Sequence, residues 1–76
     1  MMRCRFIGFC TPRGDPVINW TKTDPRGVHA LIERYDPHPL LGAPNGKATI
    51  TSRIHQIDFQ RRYFVTENSL YDFSGG

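Results

Sequence analysis

The sequence predicts an all-β domain, a small curved sheet or SH3-like barrel of five to six short strands, with a short helix over residues 26–35 as the one competing assignment. Apolar and polar residues alternate over residues 3–10 and again from Lys47 onward, the period of two that a half-buried strand requires. Proline and glycine cluster between these runs, at residues 11–16 and 36–46, where turns rather than helix caps are expected. The chain has 76 residues, which is one domain near the lower size limit for a core that holds without staples or partners.

Residues 3–10 form the first expected strand, with Cys4, Phe6, Gly8 and Cys10 on one face and Arg3, Arg5, Ile7 and Phe9 on the other. At about 3.3 Å per residue the two cysteines stand roughly 20 Å apart, against about 6 Å for a disulfide. They read as two buried thiols in a reducing cytoplasm, since no signal peptide or long apolar segment is visible. Residues 11–16 form a turn, and Val17 to Lys22, containing Trp20, pairs back as a hairpin.

Over residues 26–35, Asp24 and Pro25 resemble a helix start, and Val28, Leu31, Ile32 and Tyr35 fit helical spacing. A strand places Val28, Ala30, Ile32 and Arg34 on one face and His29, Leu31, Glu33 and Tyr35 on the other. Gly27 in the first turn and the short length count against the helix, and a preference for the strand rests partly on the resemblance described below. Residues 36–46 follow as an irregular loop closed by the tight-turn pair Asn45-Gly46.

From Lys47 the alternation puts Ala48, Ile50, Ser52 and Ile54 inward and Thr49, Thr51, Arg53 and His55 outward. Ile57 and Phe59 then fall out of phase, which calls for a β-bulge near residues 55–57 or a strand covered on both faces. Residues 58–62 turn, 63–66 pair back, 67–69 bend the chain, and 70–73 make the last strand.

Lysine and arginine number ten against seven acids, a net charge of +3. The balance mildly favours acidic or phosphorylated partners. The cations stand singly or in pairs, without the dense basic run of a nucleic-acid footprint, so nucleic acid is not an expected partner. Eight of the ten cations are arginine, whose planar fork suits phosphate or carboxylate.

Nothing marks an enzyme or a cofactor site. His29, His38 and His55 lack metal-ligand spacing. Ser52 and His55 point to opposite faces of an extended strand, and no nucleophile elbow surrounds the serine. Cys10 with His38 is a matter of composition only, and Asp58 with Glu67 needs a cleft this small a fold can make only between subunits.

His38-Pro39-Leu40-Leu41-Gly42, then Thr51-Ser52-Arg53-Ile54 with Ile57-Asp58, then Thr66-Glu67-Asn68-Ser69-Leu70-Tyr71, resembles a pattern of short uncharacterised proteins encoded by phages and prophages. The resemblance covers about half the chain and implies a viral or mobile-element origin and a β-ribbon in that region. It carries over no activity. The threonines and serines also have a structural use: Thr51 and Ser52 bonding across strands, and Thr66, Asn68 and Ser69 closing a turn before Tyr71, whose ring caps a small core.

Two binding roles are therefore expected. In the first, copies of the chain form a homo-oligomer that sequesters a small phosphate-bearing signal, such as a cyclic nucleotide used in host defence, at their shared seam. Trp20 or Tyr63 stacks on the base, Arg26 and Arg53 neutralise phosphate, and Thr51, Arg53 and His55 form a polar rim, with His38 nearby. In the second, the chain inhibits a host protein directly through Tyr35, the Leu40-Leu41 loop and the Arg61-Arg62 turn. Neither involves a membrane.

Overall fold

The computed structural model describes residues 1–18, 20, 27–40 and 42–75. Its elements are all strands: β1 (Met2–Cys10), β2 (Pro16–Val17), β3 (His29–Arg34), β4 (Ala48–Asp58), β5 (Tyr63–Thr66) and β6 (Leu70–Asp72). The order in the sheet is β2-β1-β3-β4-β5-β6, and a parallel pairing of Met2 and Arg3 with Tyr71 and Asp72 joins β6 back to β1. Five strands thus close into a small ring, with β2 attached outside the closure. No helix among the described residues is long and apolar enough to cross a membrane.

Residues 27–35 are strand and flanking backbone, not helix. Val28, Ala30, Ile32 and Arg34 are all buried, the face that alternation predicts. The Asp24-Pro25 helix-start reading lies outside the described residues.

The hairpin between β1 and β2 forms as expected, with Phe9 opposite Val17 and Cys10 opposite Pro16. Its turn is fastened by Thr11, whose carbonyl accepts from the Gly14 amide at 2.9 Å and whose hydroxyl accepts from the Asp15 amide at 3.1 Å. The second strand is much shorter than predicted. It stops at Val17; Ile18 is exposed and Trp20 lies outside any strand. Residues 21 and 22 lie outside the described set.

Bulges explain where simple alternation fails. On β1, Phe6 opposes Ile32 and Gly8 opposes Leu31, so Ile7 is an extra residue. Ile7 turns outward, and Phe9 joins Phe6 against the core instead of taking the outer face. On β4 there are two such slips. His29 and Leu31 oppose Arg53 and Ile50, two steps against three, and Thr66 and Val65 oppose Ile54 and Gln56, one step against two. The second is the expected bulge, centred on His55. The first was not expected, and it reverses the facing of the residues before it. Ala48 and Ile50 are exposed and Thr51 is buried. Thr51, Ile54 and Ile57 therefore face inward at a spacing of three, because each bulge adds a residue to the ordinary period of two.

The core within the ring gathers Cys4, Val28, Ala30, Ile32, Ile54, Phe64, Tyr71 and Phe73. Phe64 stacks on Tyr71 at 4.8 Å between ring centres, and Phe6 leans on Phe73 at 5.3 Å. Each fully buried aromatic contributes about 1.5–3 kcal/mol of apolar transfer. Tyr71 thus closes the core as predicted. The turn before it is tied by Thr66, whose hydroxyl accepts from the amides of Asn68 at 3.3 Å and Ser69 at 3.2 Å.

Both cysteines are buried thiols. Burial, and secondarily Asp72, pushes Cys4 up to about 12, and burial raises Cys10 as well. Neither is a thiolate at neutral pH.

Candidate functional site

A groove of about 830 Å³ runs between residues 36–40, the first half of β4 and the turn from β5 into β6. Arg34, Thr51 and Tyr71 are its buried members; Met1, Leu40, Ile50 and Leu70 are its exposed apolar ones. Polar neutral side chains, Thr49, Ser52, Asn68 and Ser69, complete much of the lining.

Arg34 is the most unusual residue in it. It ends β3 on the inward face, where Val28, Ala30 and Ile32 precede it, and is 6% exposed. Its Nη1 donates to the carbonyls of Gly42 at 3.0 Å and Asp36 at 3.4 Å, and so braces the loop that walls the groove. That loop is pinched by reciprocal backbone bonds between His38 and Gly42, at 2.9 and 2.8 Å, and Nδ1 of His38 accepts the Leu40 amide at 3.0 Å.

Among the described residues, no carboxylate pairs with Arg34. Asp36 lines the groove, yet its carboxylate is held by Arg3, from Nη2 at 2.7 Å and from the backbone amide at 2.8 Å. The hydrogen bond from the Arg3 side chain, reinforced by that amide, holds Asp36 below the usual carboxylate range. A guanidinium this buried is ordinarily matched by an acid.

Thr51 and Tyr71 are structural parts of the floor. At the β4 bulge the Thr51 hydroxyl accepts the Ala30 amide at 3.1 Å and donates to the Ser52 carbonyl at 2.8 Å, standing in for a ladder carbonyl. The Thr51 carbonyl accepts from Nδ1 of His29 at 2.7 Å, which fixes the proton on that nitrogen. Burial raises the Tyr71 hydroxyl, opposed by a hydrogen bond with Ser69, and weaker effects of Cys4 and Arg34 act in opposite senses. Across the groove wall, the Asn68 side-chain amide donates to the Ser52 hydroxyl at 2.6 Å, so Ser52 bonds to the bend between β5 and β6 and not to a neighbouring strand as expected.

The predicted site residues do not converge. Thr51 and His38 line the groove, but Thr51 points inward and shares no outer face with Arg53 and His55, so the expected three-residue rim does not exist. Arg53 and His55 do meet, through Glu67, at 3.4 and 3.7 Å. Trp20 sits in a separate cleft of about 480 Å³ with Phe6, Phe9, Val17, Ile18 and Phe59. Among the described residues its buried indole Nε1 has no hydrogen-bond partner. Tyr63 is half-buried on β5 opposite Asp58 and Asp72 and lines neither space. Arg26 lies outside the described residues. Of the expected protein contacts, Tyr35 and Leu40 are exposed, whereas Arg62 lies over the Phe73 ring at 5.1 Å; Leu41 lies outside the described residues.

Sequence reasoning passed over Arg34, although a signal was present: a charged residue at an inward position of a strand. Compared with family models, curated proteins and solved structures, the chain matches none.

Proposed function

We propose that the protein acts without turnover, by capturing a small phosphate-bearing ligand of the cyclic-nucleotide class in the Arg34 groove, with a second copy of the chain covering it. The observation that carries this reading is the make-up of the groove: a polar floor with a buried cation, ringed by Met1, Leu40, Ile50 and Leu70, which are 80, 89, 38 and 40% exposed. Exposed apolar side chains gathered at one place mark a surface that a partner covers, and the buried cation beneath them gives an anion a place to sit. The phage-type pattern between His38 and Tyr71 supplies much of the groove and agrees with a counter-defence role in a host cytoplasm, where such signals circulate.

Light scattering is expected to give a homo-oligomer, and a panel of linear and cyclic nucleotides at micromolar concentration to raise the melting temperature for at least one cyclic compound. The ligand recovered after heating is unchanged. A monomer that no nucleotide stabilises overturns the proposal, and an altered ligand replaces it with an enzyme. Leu40, the most exposed of the rim side chains, also favours a second reading, direct inhibition of a host protein. In that case Leu40→Asp abolishes co-purification of a host macromolecule and nucleotides have no effect.

A further inference from the structure

Arg34 uses one nitrogen of its guanidinium for the protein and leaves the opposite edge open. Nη1 carries both bonds to the loop carbonyls. Among the described residues Nε and Nη2 have no hydrogen-bond partner, and they are not sealed from solvent, since Trp20 Nε1 is the one buried side-chain nitrogen or oxygen left unpartnered. The Nε–Nη2 edge is the side of the guanidinium that holds two oxygens of one anion in a plane. A side chain only 6% exposed that lines a groove, with its fork unused by the protein and the one lining acid, Asp36, held by Arg3, is a receptor half for an anion.

The charge count narrows the anion. Arg34 is the one lysine or arginine among the described residues lining the groove, and the one acid there, Asp36, is committed to Arg3. A single buried positive charge is matched by a single negative charge; a second one has only the α-ammonium of Met1, on a residue 80% exposed, and the His38 ring to meet it, and it keeps more of its desolvation cost. We infer that the Nε–Nη2 edge of Arg34 recognises a monoanion presenting two oxygens, specifically the two non-bridging oxygens of a phosphodiester, and discriminates against phosphate monoesters in their dianionic form. This rests on the groove being the ligand site, and it names the group the site reads.

The test is calorimetric titration with 3′,5′-cyclic adenosine monophosphate, adenosine 5′-monophosphate, adenosine and acetate, on the wild-type chain, Arg34→Lys and Arg53→Gln. The cyclic diester binds the wild type. Arg34→Lys keeps the charge but loses the fork, and weakens binding by at least about tenfold, while Arg53→Gln, at an exposed pair with Glu67, leaves it unchanged. The monoester binds several-fold more weakly than the diester at about pH 8 and approaches it near pH 5, as its second proton, with a pKa of about 6, returns. Equal affinity of Arg34→Lys and wild type, a monoester as tight as the diester at about pH 8, adenosine as tight as either, or acetate in place of the diester overturns the inference.

Should Arg34→Lys fail to fold, NMR of wild-type arginine side chains titrated with dimethyl phosphate decides: the Arg34 Nε signal moves, or the fork is not a receptor. The two readings fail separately. Dimethyl phosphate moving Arg34 while no nucleotide binds leaves the fork and removes nucleotide capture; nucleotide bound equally by wild type and Arg34→Lys does the reverse.

Discussion

Thr51 shows how a polar side chain can be read correctly as structural and still be placed on the wrong face. Its hydroxyl occupies the position of a ladder carbonyl for the fully buried Ala30. Thr51→Val preserves shape and leaves the Ala30 amide unpaired, so a loss of about 1–3 kcal/mol in urea unfolding is expected, with Thr51→Ser retaining most of the stability. Arg3 and Asp36 set an acid limit of a different kind. Because Asp36 is held below the usual carboxylate range by Arg3, the pair's contribution is present above the ordinary carboxylate pKa of about 3.9 and is lost as pH falls through the lower folded value. Melting temperatures followed from about pH 6 to about pH 2 should fall less steeply for Arg3→Gln than for the wild type. If the two profiles run parallel, the pair does not contribute.

At the scale of elements, β4 decides both the fold and the groove. A strand of eleven residues that pairs with β3 at one end and β5 at the other has to turn between them, and its two bulges supply the turn. They also exchange the roles that strict alternation assigns to the isoleucines. Ile50 goes to the groove rim and Ile57 packs against the core. Ile57→Ala should therefore cost about 1–2 kcal/mol and Ile50→Ala less than about 1 kcal/mol by denaturant unfolding. The reverse order would mean that the bulge opposite β3 is absent in solution. Leu70→Asp and Leu40→Asp change exposed rim side chains, and denaturant unfolding should stay within about 0.5 kcal/mol of the wild type.

For the molecule as a whole, closure of the ring rests on a short seam. From β1, only Met2 and Arg3 pair with β6, yet β6 and the residue after it bring Tyr71 and Phe73 into the core. Truncation after Ser69 removes both aromatics and the closure together. Loss of cooperative thermal unfolding by circular dichroism is expected, since a domain of this size has little stability to spare. A truncated chain that melts cooperatively near the wild-type temperature would show that the core is complete without β6. The same economy bears on function. A ring filled by its own side chains leaves binding surface on the outside, where the groove under the 36–40 segment, at about 830 Å³, exceeds the Trp20 cleft, at about 480 Å³.

Local pattern was enough for the class of fold and the two turns at Thr11 and Thr66, because alternation, proline and glycine act through neighbours in the chain; for residues 29–34 and for the phase change near His55 it offered two assignments each, and the pairing of the strands chose between them. It also held the clue to Arg34, a cation in phase with Val28, Ala30 and Ile32. Tertiary structure alone decided which residues share a site. The bulge that buries Thr51 is defined by pairing with a strand some twenty residues away, and the groove joins segments from β3, β4 and β6 whose meeting depends on how the ring closes. That is why Arg53 and His55 went to Glu67, Trp20 to another cleft, and an arginine with an open fork to the floor of the groove.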